Sequence, residues 1–238
     1  MTEDGATRAT TEYDGFRVER DEGRQVATIT LDVPGKLNRV PLAARAQLAR
    51  VFAELGEDEG IRFVVLTGAG GAFTAGGDIG GFLQASPEEL SRLAWDVAAP
   101  ERCPKPVIAA IRGYCLGVGL ELALACDFRF VGLSRAKDVI MRRKRISAAD
   151  ALAWGLVSEV VPGDELEAAV DRAIAELAEL SPLALAMAKR VLNHVYDGPL
   201  HLGLELEGLA YGLLRSTHDF REGVEAFVEK RKPRFQGR

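Results

Sequence analysis

Residues 105–130, KPVIAAIRGYCLGVGLELALACDFRF, join a predicted buried strand to a glycine-containing loop and a short apolar helix. Glu121 is the carboxylate within that predicted helix, and its neighbours Leu120 and Leu122 are apolar. Burial in such surroundings disfavours an ionised carboxylate by several kcal/mol unless it is paired or protonated. We therefore expect an apolar setting that raises the pKa of Glu121 toward the range useful for general acid–base chemistry.

A second loop, LTGAGGAFTAGGDI at residues 66–79, repeats this order of strand, glycines and helix start. Backbone N–H groups at a helix start have no intrahelical partner, so two such ends facing each other would bind a developing oxyanion. Glu121 follows Val118 by three residues, so both share one helix face. Each loop taken alone is also compatible with a simple turn. The GAGGAF segment is a weak dinucleotide-binding pattern, because Phe73 replaces its third glycine.

The rest of the chain predicts an α/β domain followed by helices. Strands are predicted at 16–20, 25–31 and 62–68, and apolar residues at helical spacing predict a helix over 41–58. Alternating strands and helices continue to about Val161, which favours a layered α/β core over residues 1–161. Residues 162–238 are predicted to be helical, and the polar N-terminal segment is predicted to be a frayed tail. We expect self-association through apolar residues of the helical region, namely Val191, Leu202, Leu206, Leu209, Leu213 and Leu214.

Composition excludes several classes of protein. The 238 residues are 47% hydrophobic and carry a formal net charge of -5, without the basic footprint of a nucleic-acid-binding protein. No apolar run approaches the ~20 residues of a membrane span, and the N-terminus lacks the apolar core of a signal peptide, which predicts a cytoplasmic location. The 3 cysteines and 3 histidines show no ligand spacing, so we expect reduced thiols and no metal site.

Segments along nearly the whole chain, from about Phe16, resemble the crotonase, or enoyl-CoA hydratase/isomerase, family in order and spacing. The segments are PGKLNRV, VVLTGAGGAFTAGGDI, the stretch at 105–130, RISAADALAWGLVSEVV and DFREGVEAFVEKRKPRFQG. The resemblance implies an α/β fold built as a spiral of β-β-α units with a helical C-terminal trimerisation region. It further implies homotrimers or dimers of trimers, an acyl-CoA thioester substrate and no other cofactor.

The resemblance also assigns roles to individual residues. The backbone N–H groups of Gly77 and Val118 match the family's two oxyanion donors, although many members carry glycine at the second position. Glu121 matches one of the two catalytic glutamates of the hydratases. Lys36, Ala75, Asp78 and Ile79 match the region that lines the CoA channel. For Asp78, helix capping is the stronger expectation.

One part of the family pattern is missing. The family places a second glutamate after the DFRF strand in a Pro-Glu context, followed by a glycine-rich turn and a helix. Here about 30 residues of that unit are absent. Either the chain has lost them, or the sequence omits a segment between about 132 and 138. Loss of core elements is costly, which favours the second explanation. We expect an enoyl-CoA hydratase; the alternatives are another reaction of the family (isomerisation, C–C hydrolysis or decarboxylation) or a non-catalytic acyl-CoA-binding scaffold.

Overall fold

The N-terminal segment forms a β-hairpin rather than the frayed tail that the sequence predicted. In the computed structural model, which describes residues 8–78, 92–93, 95–132, 147–195 and 200–238, β1 (Arg8–Tyr13) pairs antiparallel with β2 (Phe16–Asp21). Asp14 and Gly15 form the two-residue turn, and Gly15 has a φ of 86°. Asp-Gly between β-rich segments is a strong hairpin signal, so polarity alone was a poor guide here. Tyr13 and Phe16 stack with ring centroids 4.6 Å apart.

The sheet is mixed and its strand order follows the chain. Its seven strands lie in the order β1 to β7, with β2 also antiparallel to β3 and the remaining pairs parallel. The later strands are β3 (Val26–Leu31), β4 (Phe63–Gly68), β5 (Val107–Ile111), β6 (Phe128–Gly132) and β7 (Glu159–Val161). β5 is buried at every position, as expected for a parallel strand covered on both faces.

Helices of the first compact unit cover this sheet. They are α1 (Leu42–Glu57), the short α2 (Ala99–Arg102), α3 (Val118–Ala125) and α4 (Ala148–Ala153). The buried positions of α1 include Leu48, Val51, Phe52 and Leu55, which confirms the predicted helical spacing. α4 begins after Ser147, whose side chain accepts a hydrogen bond from the backbone N–H of Asp150 at 3.0 Å.

The described part of the chain divides into two compact units. The first extends to Val170, and the second contains Pro104–Pro106 and Asp171–Arg238. α5 (Leu166–Ala178) spans the division, and α6 (Pro182–Val195), α7 (Leu200–Arg215) and α8 (His218–Glu229) belong to the second unit. The domain limit drawn from the sequence at residues 161 and 162 stays a prediction. No described helix is long and apolar enough to cross a membrane.

Within the second unit, the C-terminal segment is fixed to α8 by Asp219. This carboxylate is 2% exposed and accepts hydrogen bonds from the backbone N–H of Gln236 at 2.7 Å, the backbone N–H of Gly237 at 3.0 Å and the Ser181 hydroxyl at 2.7 Å. The N–H of Asp219 in turn donates to the carbonyl of Arg238. Burial by itself raises the pKa of Asp219. The hydrogen bonds that the carboxylate accepts outweigh this effect, so the pKa of Asp219 lies below its ordinary value of 3.8.

Candidate active site

The two glycine loops meet because they leave neighbouring parallel strands at the same edge of the sheet. One loop follows β4 and the other follows β5. The N–H of Thr74 donates to the carbonyl of Tyr114 at 2.8 Å, and the N–H of Leu116 donates to the carbonyl of Thr74 at 3.1 Å. These bonds form an isolated bridge between Thr74 and Cys115. The predicted facing arrangement of the two loops is therefore present.

Two glycines, one in each loop, have backbone conformations that favour glycine where the loops come near each other. Gly76 has a φ of 108°, and a Cβ there would lie 3.1 Å from the carbonyl oxygen of Leu116. Gly117, which precedes α3, has a φ of 52° and a ψ of -124°. A Cβ on Gly117 would lie 3.8 Å from the Cα of Gly76. Both backbone conformations are ones that residues with a side chain adopt only under strain.

The backbone N–H of Gly77 points away from the segment that pairs with it. The N–H of Val40 donates to the carbonyl of Gly76 at 2.9 Å, and the N–H of Asp78 donates to the carbonyl of Val40 at 3.0 Å. The N–H of Gly77 lies between these two bonds and faces the opposite side, because successive groups of an extended backbone alternate in direction. Among the described residues, it has no hydrogen-bond partner.

The backbone N–H of Val118 is the first of α3. Gly119 and Leu120 already donate to the carbonyls of Leu116 and Gly117, whereas the N–H of Val118 meets no acceptor within the described ranges. It therefore adds to the partial positive charge of this helix end. Val118 is 5% exposed, and its Cγ1 lies 3.8 Å from the point that a Cβ on Gly77 would occupy. The two residues with unengaged donors are thus neighbours.

The expectation of an apolar, buried setting for Glu121 is wrong. Its side chain is exposed, while Val118, Gly119, Leu122 and Ala123 take the buried face of α3. The physical reason is geometric: a two-turn helix has room for one buried stripe, and Glu121 falls beside it. The predicted sharing of one helix face is not observed either, because Val118 is buried and Glu121 is exposed. Both residues lie in the first turn of α3, where the N–H of Glu121 donates to the carbonyl of Gly117 at 3.2 Å.

Arg45 is a charged residue near this site that the sequence reasoning missed. It lies on α1 and is only 6% exposed. Burial lowers the pKa of Arg45, and the negative charge of Glu121 opposes that shift. The sequence did contain a signal that could have identified Arg45. It lies three residues before Leu48 on the buried stripe of α1, where an apolar residue is usual.

Asn38 fixes the loop that carries Lys36. Its side-chain amide donates to the carbonyls of Ala69 at 2.9 Å and Ala72 at 2.8 Å, and its Oδ1 accepts from the N–H of Val33 at 3.2 Å. Asn38 is 5% exposed and has a φ of 55°, a conformation that asparagine tolerates better than most residues. The segment around Lys36 is thereby held against the first glycine loop.

The residues predicted to line a CoA channel lie along this loop pair. The ammonium of Lys36 is 3.9 Å from the Asp78 carboxylate, and 61% of the Lys36 side chain is exposed. The N–H of Ala75 donates to the carbonyl of Leu37 at 2.8 Å. Ile79 and the helix that Asp78 would cap lie outside the described residues.

Arg129 stabilises the other end of α3 and was also missed. Its guanidinium donates to the carbonyl of Cys126 at 2.6 Å, and more weakly to those of Ala123 at 3.4 Å and Leu124 at 3.3 Å. Its Nε donates to the carbonyl of Leu156 at 2.8 Å. A cation at a helix C-terminus is favourable, and here it satisfies carbonyls that the helix leaves without partners.

The described residues contain no cluster of three or more His, Cys, Asp or Glu side chains that could hold a metal ion. A mixed α/β sheet whose strand ends present two unengaged backbone N–H groups next to a carboxylate is suited to an enzyme that stabilises an oxyanion.

Comparisons with known proteins agree with this class. The sequence model of the enoyl-CoA hydratase/isomerase family matches residues 21–132 and 128–238. A Mycobacterium bovis protein named probable enoyl-CoA hydratase is 32% identical over 267 residues, covering 95% of this chain and 99% of that protein. The 2,3-dehydroadipyl-CoA hydratase of Escherichia coli is 33% identical, covering 90% and 96%. A solved enoyl-CoA hydratase from Bacillus anthracis superposes with a TM-score of 0.80 at 30% identity, covering 97% and 99%. The chain belongs to the enoyl-CoA hydratase/isomerase family, and the predicted crotonase fold is confirmed.

The comparisons also show that this chain lacks internal positions that its relatives have. The alignment of 267 positions exceeds the chain's 238 residues, so at least 29 positions have no counterpart here. The family match divides between residues 128 and 132, at the end of β6. The interpretation that the sequence omits a segment between about 132 and 138 stays a prediction. β7 still pairs with β6, at Phe130 with Glu159 and Gly132 with Val161, so the sheet continues past the shortened connection.

Proposed function

We propose that this enzyme is an enoyl-CoA hydratase, which adds water across the double bond of a 2-enoyl-CoA thioester. The observation that carries the proposal is the adjacency of Gly77 and Val118, whose backbone N–H groups have no partner among the described residues. Donors fixed before the substrate arrives stabilise an oxyanion without reorganisation. A thioester carbonyl placed between them would gain that stabilisation as its oxygen becomes negative.

The chemistry then assigns Glu121 to proton transfer. Its carboxylate accepts a proton from water as the new C–O bond forms at the β-carbon, and the thioester becomes an enolate held by the two N–H groups. Protonation of the α-carbon completes the 3-hydroxyacyl-CoA. The atoms of one water are balanced if Glu121 returns the proton that it accepted, so a second acid is not needed for the proton balance.

The coenzyme A part of the substrate would bind along the Lys36 loop. Lys36 is exposed at the edge of the site, and an ammonium there suits the phosphates of coenzyme A. We propose no cofactor besides the coenzyme A of the substrate, because proton transfer and oxyanion stabilisation account for the reaction.

The direct test is the substitution Glu121→Gln, with crotonyl-CoA, a four-carbon 2-enoyl-CoA, as substrate. Loss of the carboxylate should lower kcat by about 10²–10⁴-fold, because general acid–base catalysis contributes an effect of that size. The dissociation constant of coenzyme A, measured by calorimetry, should stay within about twofold because binding rests on the Lys36 loop. Glu54→Gln, an exposed acid on α1, is the matched control. Unchanged turnover of the Glu121 variant would refute the assignment.

A second candidate is another enolate reaction of the family: isomerisation, C–C hydrolysis or decarboxylation. The absence from the sequence of the second glutamate motif after the DFRF segment favours it. A panel of 2-enoyl-, 3-enoyl-, 3-oxoacyl- and malonyl-type CoA thioesters distinguishes these reactions. If none of them turns over while coenzyme A binds, a non-catalytic acyl-CoA-binding role replaces both candidates.

We also propose that the chain assembles with copies of itself through its C-terminal helices. The second unit exposes large apolar side chains, among them Leu209 at 66%, Leu213 at 61%, Phe227 at 86% and Val228 at 73%. Exposed apolar residues in such numbers are typical of an interaction surface.

A further inference from the structure

Thr74 is a buried polar residue that the proposed reaction, as described so far, does not use. It lies in the first glycine loop, three residues before Gly77. Its main chain joins the two loops, because its N–H donates to the carbonyl of Tyr114 and its carbonyl accepts from the N–H of Leu116. A buried hydroxyl group is costly unless it is hydrogen-bonded, so the partners of this hydroxyl indicate what it does.

The hydroxyl group of Thr74 is bonded to the residue that precedes the first proposed oxyanion donor. Its Oγ1 accepts from the N–H of Gly76 at 3.0 Å and donates to the carbonyl of Gly76 at 3.2 Å. The same carbonyl accepts from the N–H of Val40 at 2.9 Å. The Gly76 oxygen is therefore held by two donors, one from the main chain and one from the Thr74 side chain.

These bonds fix the direction of the Gly77 N–H. The carbonyl of Gly76 and the N–H of Gly77 belong to one planar trans peptide group, so the two point in opposite directions. Residues 76 and 77 are both glycine, and no side chain on either one restricts the rotation of this peptide group. A hydroxyl that holds the oxygen thereby aims the N–H, and it also polarises the peptide group so that the N–H is a stronger donor.

The methyl group of Thr74 contacts the helix that carries the second donor. A Cβ on Gly119 would collide with Cγ2 of Thr74 and would lie 3.6 Å from the Cβ of Thr74. The methyl group therefore packs against the Cα of Gly119, which is buried and directly follows Val118 in the first turn of α3. One side chain thus contacts both the peptide group of the first donor and the helix turn of the second.

We infer that Thr74 is a positioning residue of the active site, whose hydroxyl group orients the peptide group of Gly76 and Gly77 so that its N–H converges with that of Val118 on the thioester oxygen. The inference rests on the proposed function, because the two N–H groups stabilise the enolate there. Thr74 acts through the Gly77 N–H and does not touch the substrate. Because a preorganised donor acts mainly in the transition state, loss of its alignment should lower kcat more than it changes KM.

The first test compares Thr74→Val, which removes the hydroxyl and keeps the branched shape, with Thr74→Ser, which keeps the hydroxyl. With crotonyl-CoA, the valine variant should lose about 5- to 50-fold in kcat with KM within about threefold, since deletion of a whole oxyanion donor costs ~10²–10³-fold. The serine variant should retain kcat within about threefold of wild type. A valine variant within about twofold of wild type, or a serine variant equally impaired, would overturn the inference.

Thr67→Val is the matched control, because it makes the same substitution on β4. The Thr67 hydroxyl donates to the carbonyl of Ala110 at 3.0 Å and so also joins β4 to β5, but within the sheet. This variant should lower the urea midpoint of unfolding, as Thr74→Val does, yet keep kcat within about twofold of wild type. An equal loss of kcat in both valine variants would show a general effect of a lost hydroxyl bond and would refute the positioning role.

A second measurement needs no turnover. Acetoacetyl-CoA, a 3-oxoacyl thioester, ionises to an enolate with its own near-ultraviolet absorbance, and donors aimed at the thioester oxygen should raise the enolate fraction of the bound ligand. Thr74→Val should lower the ratio of enolate to neutral bound ligand at pH 7 by about 3- to 10-fold, and Thr74→Ser should restore most of it. Equal ratios in the wild type and the valine variant would overturn the inference.

The two measurements together separate this inference from the hydratase assignment. A wild type that favours the bound enolate but does not hydrate crotonyl-CoA refutes the hydratase assignment, while a lower enolate ratio in Thr74→Val still supports the role of Thr74. A wild type that binds acetoacetyl-CoA without favouring its enolate refutes both, because the two N–H groups then do not form an oxyanion site.

Discussion

For Glu121, the sequence predicted the position along α3 but not the exposure of the side chain. Its spacing from Val118 predicted a shared helix face, but only a shared first turn of α3 is observed, with Val118 buried and Glu121 exposed. Its exposure was predicted wrongly, because the apolar neighbours in sequence are not its neighbours across the helix surface. Arg45 was missed for the complementary reason: its partners Gly77 and Glu121 come from distant parts of the chain.

At the residue scale, we predict that Asp219 makes the free energy of unfolding depend on pH. Its net pKa shift is downward in the folded state, so its contribution to stability is present above the unfolded value of 3.8 and is lost as the pH falls through the lower, folded value. Asp219→Asn should therefore lower the free energy of unfolding by about 1–3 kcal/mol at pH 7, and the difference from wild type should shrink below about pH 4.

Urea unfolding between pH 7 and pH 3 measures this difference. Glu225→Gln, an exposed acid on the same helix, serves as the control and should leave the pH profile unchanged. A difference between wild type and the Asp219 variant that stays constant over the whole pH range would contradict the assignment.

At the scale of elements, sequence patterns predicted what depends on local chemistry. The strands from β2 to β6 and the helix α1 follow from the pattern of apolar residues. β1 was missed because its polar composition outweighed the Asp-Gly turn signal in the prediction. The bridge between the two glycine loops could not be derived, because it requires knowing that β4 and β5 are adjacent. The adjacency of β4 and β5 was implied by the family resemblance and not by the residue patterns.

For the helix α3, we predict that stability and activity depend on Arg129. Its guanidinium satisfies carbonyls at the C-terminus of this eight-residue helix, which carries Val118 at its other end. Arg129→Met should destabilise the protein by about 1–3 kcal/mol, because carbonyls that are for the most part partly buried lose a charged donor. It should also lower kcat for crotonyl-CoA, since the Val118 donor lies on the same short helix.

Thermal unfolding and steady-state kinetics measure the two effects together. Arg172→Met removes an arginine at an exposed position of α5 and should change neither quantity. A variant of Arg129 with wild-type stability would show that the helix end does not need the guanidinium.

At the scale of the whole molecule, the chain keeps a continuous sheet although its relatives carry extra positions after β6. β7 pairs in parallel with β6 directly across the shortened connection. The sequence pattern identified this shortfall, and its interpretation as an omitted segment stays a prediction. A parallel crossover needs only about a dozen residues, and 26 residues separate Gly132 from Glu159.

Self-assembly is the prediction that belongs to this scale. Light scattering of the purified chain should give a mass that is a multiple of 25.7 kDa, with a trimer or a dimer of trimers expected from the family resemblance. Charged substitution of exposed apolar positions, as in Leu213→Asp with Phe227→Asp, should shift the mass toward that of one chain. A wild-type mass of 25.7 kDa at micromolar concentration would refute the proposed assembly.

The two donors at Gly77 and Val118 belong to the main chain, and this has a consequence for mutational mapping. Every amino acid except proline supplies the same N–H, so an alanine scan would leave both donors in place and would not register them. Substitutions at residue 118 can therefore change the shape of the acyl pocket while the backbone N–H donor is retained. Replacing the amide with an ester at residue 118 by chemical ligation would delete this donor and keep every side chain. It would also weaken the Gly117 carbonyl, which accepts from the N–H groups of Leu120 and Glu121, so the loss of kcat should be read beside the loss of stability.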